Sequence, residues 1–540
     1  MKYLGSSGKQ ACQPDRLVSL LREVFQVKAK ISQTQRKGKR RIAQRLRNSK
    51  RRIAHRLRKR RWREQRRRLF PDQNIHYDYS SKVKAGRFAG LGAGLLLVQR
   101  LDLADALDAN LSLLKRHVPY HESDHVLNLT YNILAGGTTL ADLELLRNDE
   151  VYLDAIGAQR IPDPTTAGDF LRRFAHKDIT TLMRVINDKR LLVWKQQPPS
   201  FFEHAIVDAD GTVAGTLGAC KAGMDLSYKG IWGYHPLLVS LANTSEPLFL
   251  FNRPASRPSH EGAADYLDQA ATLCRKAGFH KITFRGDTDF SQTEHLDRWD
   301  KDNILFVFGI DAMPKLVEKA KSLAAAAWQK LDRPAKYEVK TQQRTRPLAV
   351  KEEVVRKKGY KNIRLVSEHV AEFSYRPGAC KKDYRVVVLR KDLVIEKKGV
   401  KVEDQVRYFF YISNDSSRNC AEVVYFANDR CNQENLIEQL KNGVKALRLP
   451  SNTLESNWAY MVIGALAWNV KAWLALLQPK AEQRQALLSM EFKKFLAVWL
   501  LLPCQILRTG RQLIFRVLQY NEWVPVLLRS VEVLRQLRLT

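Results

Sequence analysis

The chain has 540 residues, 45% of them hydrophobic, and a formal net charge of +35. That length has room for about three or four domains of ordinary size. A charge surplus this large, which no folding need explains, calls for a polyanionic partner, nucleic acid before an acidic membrane surface.

Cys12, Cys220, Cys274, Cys380, Cys420, Cys431 and Cys504 form no Cys-x-x-Cys pair, so neither a zinc site nor a disulfide framework is signalled and a reducing cytoplasm fits. Residues 1–10 carry no apolar core of the signal-peptide kind. The runs Phe88–Val98 and Phe495–Cys504 are shorter than the roughly 20 residues a membrane helix needs. The expectation is a soluble, cytoplasmic, nucleoid-associated protein with no membrane contact.

Residues 1–80 read as a basic arm, partly helical or disordered. Leu17, Leu20, Leu21, Val24 and Phe25 recur at helical spacing. The block Arg36–Arg68 is mostly arginine and lysine, with Glu64 as its acid, and it repeats itself. Lys39-Arg40-Arg41-Ile42-Ala43-Gln44-Arg45-Leu46-Arg47 returns as Lys50-Arg51-Arg52-Ile53-Ala54-His55-Arg56-Leu57-Arg58. The spacing is close to three helical turns, so Ile42, Leu46, Ile53 and Leu57 share one stripe on an otherwise cationic helix. Arg40, Arg41, Arg45, Arg51, Arg52 and Arg56 are candidate DNA contacts; the alternative is a solvated basic tail with no specific role.

Residues 81–200 read as a helical DNA-binding region. Leu101–Leu114 and Val126–Leu134 are periodic, Gly136-Gly137 breaks them, and Leu140–Leu146 resumes. A turn at Pro162–Thr166 precedes the basic helix Phe170–Phe174, whose Arg172 and Arg173 are further candidate DNA contacts. His117, His121 and His125 read as ordinary surface histidines, because Pro119 interrupts any helix that would join them.

From residue 201 the pattern turns to strands. Ile206–Val213, Tyr234–Asn243 and Leu248–Asn252 come first. A helix at Ala263–Ala277, a strand at Lys281–Arg285, a short helix at Gln292–Trp299 and a strand at Ile304–Phe308 follow. This predicts a mixed α/β fold, a mixed sheet with helices on its faces, over residues 201–310. Residues 311–425 read as a β-rich insertion: a helix near Met313–Lys330, then strands at Tyr337–Lys340, Ile363–Val366, Glu372–Tyr375, Tyr384–Leu389, Leu393–Ile395 and Arg407–Ser413. Residues 426–475 return to helix and close the mixed domain. Residues 476–540 read as C-terminal helices broken at Pro479, Pro503 and Pro525.

Three groups of acids stand out. Asp208 and Asp210 project from one face of the first strand. Acids there are costly without a cation, so a hard divalent metal is one reading; an ordinary Asp-Gly turn at Asp210-Gly211 is the other. Asp287 and Asp289 sit where another strand ends. Arg430, Glu434, Ile437 and Lys441 fall on one helical face, a pattern that ordinary i,i+4 charge contacts also account for.

In their order and spacing these motifs resemble an insertion-sequence transposase of the cut-and-paste type. Its DDE catalytic domain has a ribonuclease-H-like fold with a five-stranded mixed sheet and a β-rich insertion, and the closest resemblance is to the insertion-sequence 1380 group. The resemblance covers about residues 80–475. Val207-Asp208-Ala209-Asp210-Gly211-Thr212 resembles the first-aspartate motif and Phe284-Arg285-Gly286-Asp287-Thr288-Asp289-Phe290 the second. Asn428–Glu434 with Lys441 resembles the third, in which Tyr, Arg, Glu and Lys recur at fixed spacing. Arg430, Glu434 and Lys441 match; the tyrosine position is Ala427, with Tyr425 and Phe426 just upstream. Asn442–Lys445, Ala465–Asn469, Gly136–Asp149 and Phe170–Phe174 add to the likeness, whereas Arg36–Arg68 has no counterpart in it.

The resemblance implies that Asp210, Asp287 and Glu434 are catalytic and hold two Mg²⁺ ions, with Mn²⁺ as a substitute and Asp210 bridging the pair. It implies Arg430 and Lys441 on DNA phosphates, and Asp208 and Asp289 as supporting or alternative ligands. The implied reaction is cleavage at element ends followed by strand transfer into target DNA, by a homodimer on DNA. The alternatives are a nuclease-only or a non-catalytic DNA-binding relative.

Overall fold

The computed structural model describes residues 36–56, 75–77, 83–333, 350–509 and 512–537. The helix expected over 11–28, Leu57 and the strand expected at Tyr337–Lys340 lie outside the described residues.

Residues 36–56 form one unbroken helix, α1, as the repeat predicts. Its arginines are exposed. Leu46 packs against the core, while Ile42 and Ile53 remain exposed. An ion pair of 3.2 Å between Lys39 and Glu532 also ties α1 to the C-terminal region.

A short strand, β1 (Ala85–Gly86), leads into a helical layer: α2 (Leu91–Arg100), α3 (Leu103–Asn110), α4 (Glu122–Leu134), α5 (Asp142–Arg147), α6 (Glu150–Ile156), α7 (Pro164–Leu171) and α8 (His176–Trp194). Aspartates start two of these helices. Asp149 accepts from the amides of Val151 and Tyr152, and Asp163 from those of Thr165 and Thr166, with Pro164 at the first helical position. One histidine departs from the sequence expectation. His117 and His121 are exposed, but His125 is buried and stacked on Phe170 at 4.3 Å, because α4 turns its apolar face, and His125 with it, inward.

The sheet begins with β2 (His204–Gly211). A small separate sheet, β3 (Ala214–Gly215), β4 (Asp225–Leu226) and β5 (Trp232–Tyr234), intervenes before β6 (Leu237–Leu241) and β7 (Glu246–Phe251). The second strand expected from sequence is thus two strands, parted at His235-Pro236. Then follow α9 (Ala263–Ala277), β8 (Lys281–Gly286), α10 (Leu296–Lys301), β9 (Leu305–Ile310) and α11 (Pro314–Ser322). Gly278, at φ +101°, ends α9 in the left-handed conformation that a side chain resists. In β8 and β9 every residue but the first is buried, as befits central strands covered on both faces.

The insertion does not form a body apart. It comprises β10 (Gln329–Lys330), α12 (Val350–Lys358), β11 (Lys361–Tyr375), β12 (Tyr384–Lys397) and β13 (Val400–Ser413). The strand fragments seen in the sequence are pieces of three long antiparallel strands. β13 pairs with β9, so one nine-stranded sheet runs β10-β11-β12-β13-β9-β8-β2-β6-β7. β2, β8 and β9 are parallel to one another; every other pairing in it is antiparallel.

After the sheet come α13 (Cys420–Asn428), α14 (Cys431–Glu438), a π-helical turn at Gln439–Gly443, α15 (Leu454–Leu476), α16 (Ala481–Leu488) and α17 (Phe492–Phe495). The all-helical C-terminal region expected from sequence is corrected here. Cys504–Thr509 (β14) and Gln512–Val517 (β15) form a hairpin that pairs with β1, and only then does α18 (Val524–Gln536) follow. Burial alternates along β14, the period of a strand.

By length and composition α15 could cross a membrane, with a mean hydropathy of 1.4, yet that stretch is wholly buried inside the protein. It is the central pillar of the core. Glu246, fully buried at the start of β7, fastens it. The carboxylate accepts from Arg190 Nε (3.0 Å) and Trp194 Nε1 (2.9 Å) of α8, Trp473 Nε1 (2.9 Å) of α15 and Thr244 Oγ1 (2.6 Å). A buried acid is tolerated because every lobe it presents meets a donor. The clamp locks the helical layer and α15 onto the sheet edge.

Candidate active site

The site forms at the C-terminal ends of two neighbouring parallel strands. In the β2–β8 register Asp208 lies opposite Arg285. Two residues further along β2 stands Asp210, and Asp287 directly follows the last residue of β8, close enough that its charge acts on Asp210. Asp208 is buried and committed: Arg285 grips both its oxygens, at 2.7 Å and 2.8 Å. Arg285 also donates to the carbonyl of Phe426 at 2.8 Å and lies 4.6 Å over its ring. Asp208 therefore anchors α13 to the sheet through Arg285, with one guanidinium donor on each of its oxygens, the supporting place expected of it.

A tight turn carries Asp287. A Cβ on Gly286 would stand 2.5 Å from Phe290 Cβ, so the glycine is what lets the chain fold back at once. Asp287 Oδ1 then accepts the amide of Asp289 at 3.1 Å. Asp289 thus steadies Asp287 with its backbone, while its own side chain is exposed.

The third acid arrives on α14. Gln433, buried on that helix, donates to the carbonyls of Asp208 (3.0 Å) and Leu238 (3.2 Å), and this seats the helix across β2 and β6. Its neighbour Glu434 is left facing outward, its side chain 62% exposed. Arg430, at the start of α14, stands among the acids. It lies 3.0 Å from Asp210 Oδ2 and 4.0 Å from Glu434 Oε1, and it feels the charge of Asp287.

Charge and burial set the protonation of the group. Burial pushes the Asp210 carboxyl up to about 6; Arg430 pulls it down, while Asp287 and Glu434 push it further up. Burial likewise raises Asp287 against the pull of Arg430, with Asp289 and Asp311 adding to the rise. Burial opposes the charge on Arg430, but Asp210, Asp287 and Glu434 more than offset it, so its guanidinium sits above its usual range. Lys441, in the π-turn after α14, is lowered by burial and by Lys229, with Glu438 and Asp210 opposing. A π-turn is a common mark of a functional site.

Among the described residues, no three His, Cys, Asp or Glu side chains stand close enough together to hold a metal ion as they are; Arg430 supplies the local positive charge instead. The donors are nonetheless all carboxylate oxygens, the ligands a hard divalent cation prefers. Asp210, held up by burial and by two acid neighbours, shows the group to be short of positive charge. The residues match such an ion in chemistry, while their present spacing, with Arg430 between them, does not yet form a three-ligand site.

The remaining candidates divide. Arg172 pairs with Asp169, and Arg173 reaches the carbonyl of Leu113 at 3.4 Å; both are exposed on the helical layer. Arg40, Arg41, Arg45, Arg51, Arg52 and Arg56 line the exposed α1. Where the family tyrosine is absent, neither aromatic upstream is free: Phe426 lies under Arg285 and Arg418, and Tyr425 donates to the carbonyl of Asp332 at 2.6 Å. Sequence reasoning missed Arg285 and Gln433. The signal for Arg285 was a lone charge inside an apolar strand, which has to find a partner.

A large mixed sheet, acids at the mouths of its parallel strands and a heavily cationic chain define a protein that works on polyanions. Residues 88–539 match the family model described as transposase DDE domain group 1, and the chain belongs to that family of DDE transposases. Among solved structures it is similar to a piggyBac transposase in a cryo-EM structure of the synaptic complex with hairpin DNA. The identity is 12%, the TM-score 0.33, and the match covers 76% of this chain and 83% of that one. No curated protein matches it.

Proposed function

We propose that this chain cuts DNA at the ends of an insertion sequence, of the 1380 group, and joins those ends to target DNA. The observation that carries the reading is the convergence of Asp210, Asp287 and Glu434 on the guanidinium of Arg430. Residues from two strand ends and a separate helix meet there, far apart in sequence, at the place where open α/β sheets put their active sites.

The order β7-β6-β2-β8-β9, antiparallel through β2 and parallel beyond it, supports a ribonuclease-H-like core that the insertion extends at the β9 edge. Asp210, Asp287 and Glu434 would hold two Mg²⁺ ions, with Mn²⁺ as a substitute. Bound there, divalent cations supply the Lewis acidity that in-line attack on a phosphodiester needs. The chain's own part is to place them and the DNA. Arg430 and Lys441 hold phosphates beside the acids, the guanidinium by its forked donors. The Asp208–Arg285 pair and Gln433 keep the two strands and α14 in register. Arg172, Arg173 and the arginines of α1 neutralise the flanking duplex. Two ends must be cut and joined together, which makes a homodimer on DNA the acting species, working in the cytoplasm on nucleoid DNA.

The test is Mg²⁺-dependent cleavage and joining of DNA that carries the inverted repeats flanking the gene. Wild-type protein yields cut ends and then joined products, and Asp210→Ala yields neither. Cleavage without joining would reduce the protein to a nuclease. Binding without cleavage would leave a non-catalytic relative.

A further inference from the structure

Directly after Asp210 the chain leaves the main sheet, builds the small sheet β3-β5-β4, and returns only at β6. β4 and β5 form a hairpin in which Asp225 faces Gly233 and Leu226 faces Trp232. Ser227 closes its turn: the Ser227 amide donates to the Ile231 carbonyl at 2.9 Å, and the Ile231 amide to Ser227 Oγ at 3.0 Å. Gly230 supplies the positive φ, +71°, that so tight a reversal demands.

The base of this hairpin is fixed. The Ala222 amide donates to the Asn452 carbonyl at 2.8 Å, Tyr234 Oη to the Ala222 carbonyl at 2.7 Å, and Lys221 Nζ to the carbonyls of Leu449 (2.7 Å) and Ser451 (2.6 Å). The outer end is bare. Tyr228 is 82% exposed, Trp232 52% and Leu226 45%. Directly paired residues share a face, so Trp232 and Leu226 make one apolar patch beside the turn. Lys229 Nζ stands 5.1 Å over the Tyr228 ring. The charge of Lys229 reaches Lys441, which in turn feels Asp210. The segment leaves β2 directly after Asp210, its two ends are joined by the Thr212 amide donating to the Pro236 carbonyl at 3.0 Å, and it returns to β6 where Leu238 pairs with Asp210, so a post with two bare aromatics and a lysine rises beside the acid site.

We infer that this hairpin holds unpaired terminal nucleotides of the DNA being cut, with bases against Tyr228 and Trp232 and phosphates against Lys229 and Lys441. The inference rests on the DNA-cutting reading and adds to it the state of the substrate. Aromatic faces interleaved with lysines suit single-stranded nucleic acid, since every base has a face to stack and every linkage a charge to neutralise. Residues 226–232 contain no acid. A second copy docked patch to patch would bring Lys229 against Lys229, with no acid in either turn to offset it. Opening the last base pairs would feed one strand toward the acids while its bases stay covered.

The test compares wild type with Tyr228→Ala/Trp232→Ala on two duplexes bearing the flanking inverted repeat, one with matched terminal pairs and one with mismatched pairs. The double variant cuts the matched end at least about thirtyfold more slowly, the loss expected from two missing stacking contacts, and cuts the mismatched end at close to the wild-type rate. Equal loss on both duplexes, or none on either, overturns the inference. A second measurement needs no chemistry. Wild type binds a duplex with a single-stranded thymidine tail more tightly than the blunt duplex; the double variant loses that preference, and restoring an aromatic with Tyr228→Phe/Trp232→Phe regains it. Absence of the preference in wild type overturns the hairpin assignment however well the protein cuts. A tail preference without cleavage of either duplex removes the DNA-cutting reading and leaves the hairpin assignment standing. If the double variant instead breaks a dimer apart in light scattering, the patch is an interface between copies and the inference fails.

Discussion

Arg430 points Nη1 at Asp210 Oδ2 from 3.0 Å, and it does so from the position that caps the N-terminus of the helix carrying Glu434. The guanidinium thus occupies the electrostatic position that a divalent cation would take. It keeps the acids assembled without metal, and it competes with metal for them. Two charges near 4 Å interact by about 4 kcal/mol at an effective dielectric of 20, and solvent around the exposed Glu434 lowers that. Arg430→Gln is therefore expected to tighten Mn²⁺ binding by roughly tenfold in the absence of DNA, read by electron paramagnetic resonance, while it weakens DNA binding. Weaker Mn²⁺ binding in the variant would mean that the arginine organises the metal site rather than contests it.

Asp210 illustrates a conflict between stability and function. Its carboxyl stands near 6 in the folded protein, above the ordinary 3.9 of an aspartate. The folded state is thus the poorer place for the charged form. Stability from this group is full at low pH and falls as pH rises from the ordinary value through about 6. Asp210→Asn is expected to melt higher than wild type at pH 8 and nearly level with it at pH 4, to bind DNA within about threefold, and to lose cleavage altogether. Asp287→Ala and Glu434→Ala lose cleavage likewise. Full cleavage by any of the three removes that residue from the assignment.

The strand core of the sheet was legible because β2, β8 and β9 are short, largely apolar runs that end in turn residues, and buried parallel strands look like that. Asp210 and Asp287 stood out as acids where strands end, whereas Glu434, on a helix, stood out only through the family resemblance. What stayed hidden depended on register. Nothing local says that Arg285 faces Asp208, and that pairing makes the aspartate an anchor. The hairpin at 225–234 escaped notice because its strands are only two and three residues long. Cys504–Val517 passed for helix because an apolar stretch beside Pro503 shows little periodicity until its partner strand is known. That the insertion extends the central sheet stayed hidden because sequence cannot reveal that β13 pairs with β9.

The helix α1 is the most cationic described element, and its arginines face solvent. Each phosphate it neutralises should release condensed counterions, so the logarithm of affinity falls with the logarithm of salt by ~0.9 per contact. Deleting residues 36–56 is expected to flatten that slope, measured by fluorescence anisotropy on duplex DNA, with cleavage retained at low salt. An unchanged slope would make the arm irrelevant to DNA binding.

The Glu246 clamp sets the stability of the whole core. Glu246→Ala would leave Arg190 charged, fully buried and unpaired, and would strip two indole donors of their acceptor. Breaking one side of a buried pair costs about 3–5 kcal/mol, so a large fall in melting temperature is expected. Replacing both partners by apolar residues, as in Arg190→Met/Glu246→Leu, should recover much of that loss, because no buried charge then remains. A double variant as unstable as Glu246→Ala would show that the indole hydrogen bonds of Trp194 and Trp473, not the charge pair, hold the layers together.

Lys471 makes the opposite electrostatic case to Asp210. It lies buried in α15, donates to the Leu488 carbonyl at 2.9 Å and stands 4.0 Å over the Trp468 ring, and burial lowers its ammonium to about 7. The unfolded chain, with an ordinary lysine near 10.4, binds more protons than the folded one between those limits, so stability must climb as pH rises through them. Below about 7 the ammonium is charged in both states and the folded protein bears the full cost of burying it. Lys471→Met keeps the stem volume and removes the titration. The variant should melt well above wild type at pH 6.5, and the gap should narrow steadily toward pH 9.5. A gap that stays constant over that range would show that Lys471 remains charged in the core, held by the Trp468 face and the Leu488 carbonyl alone.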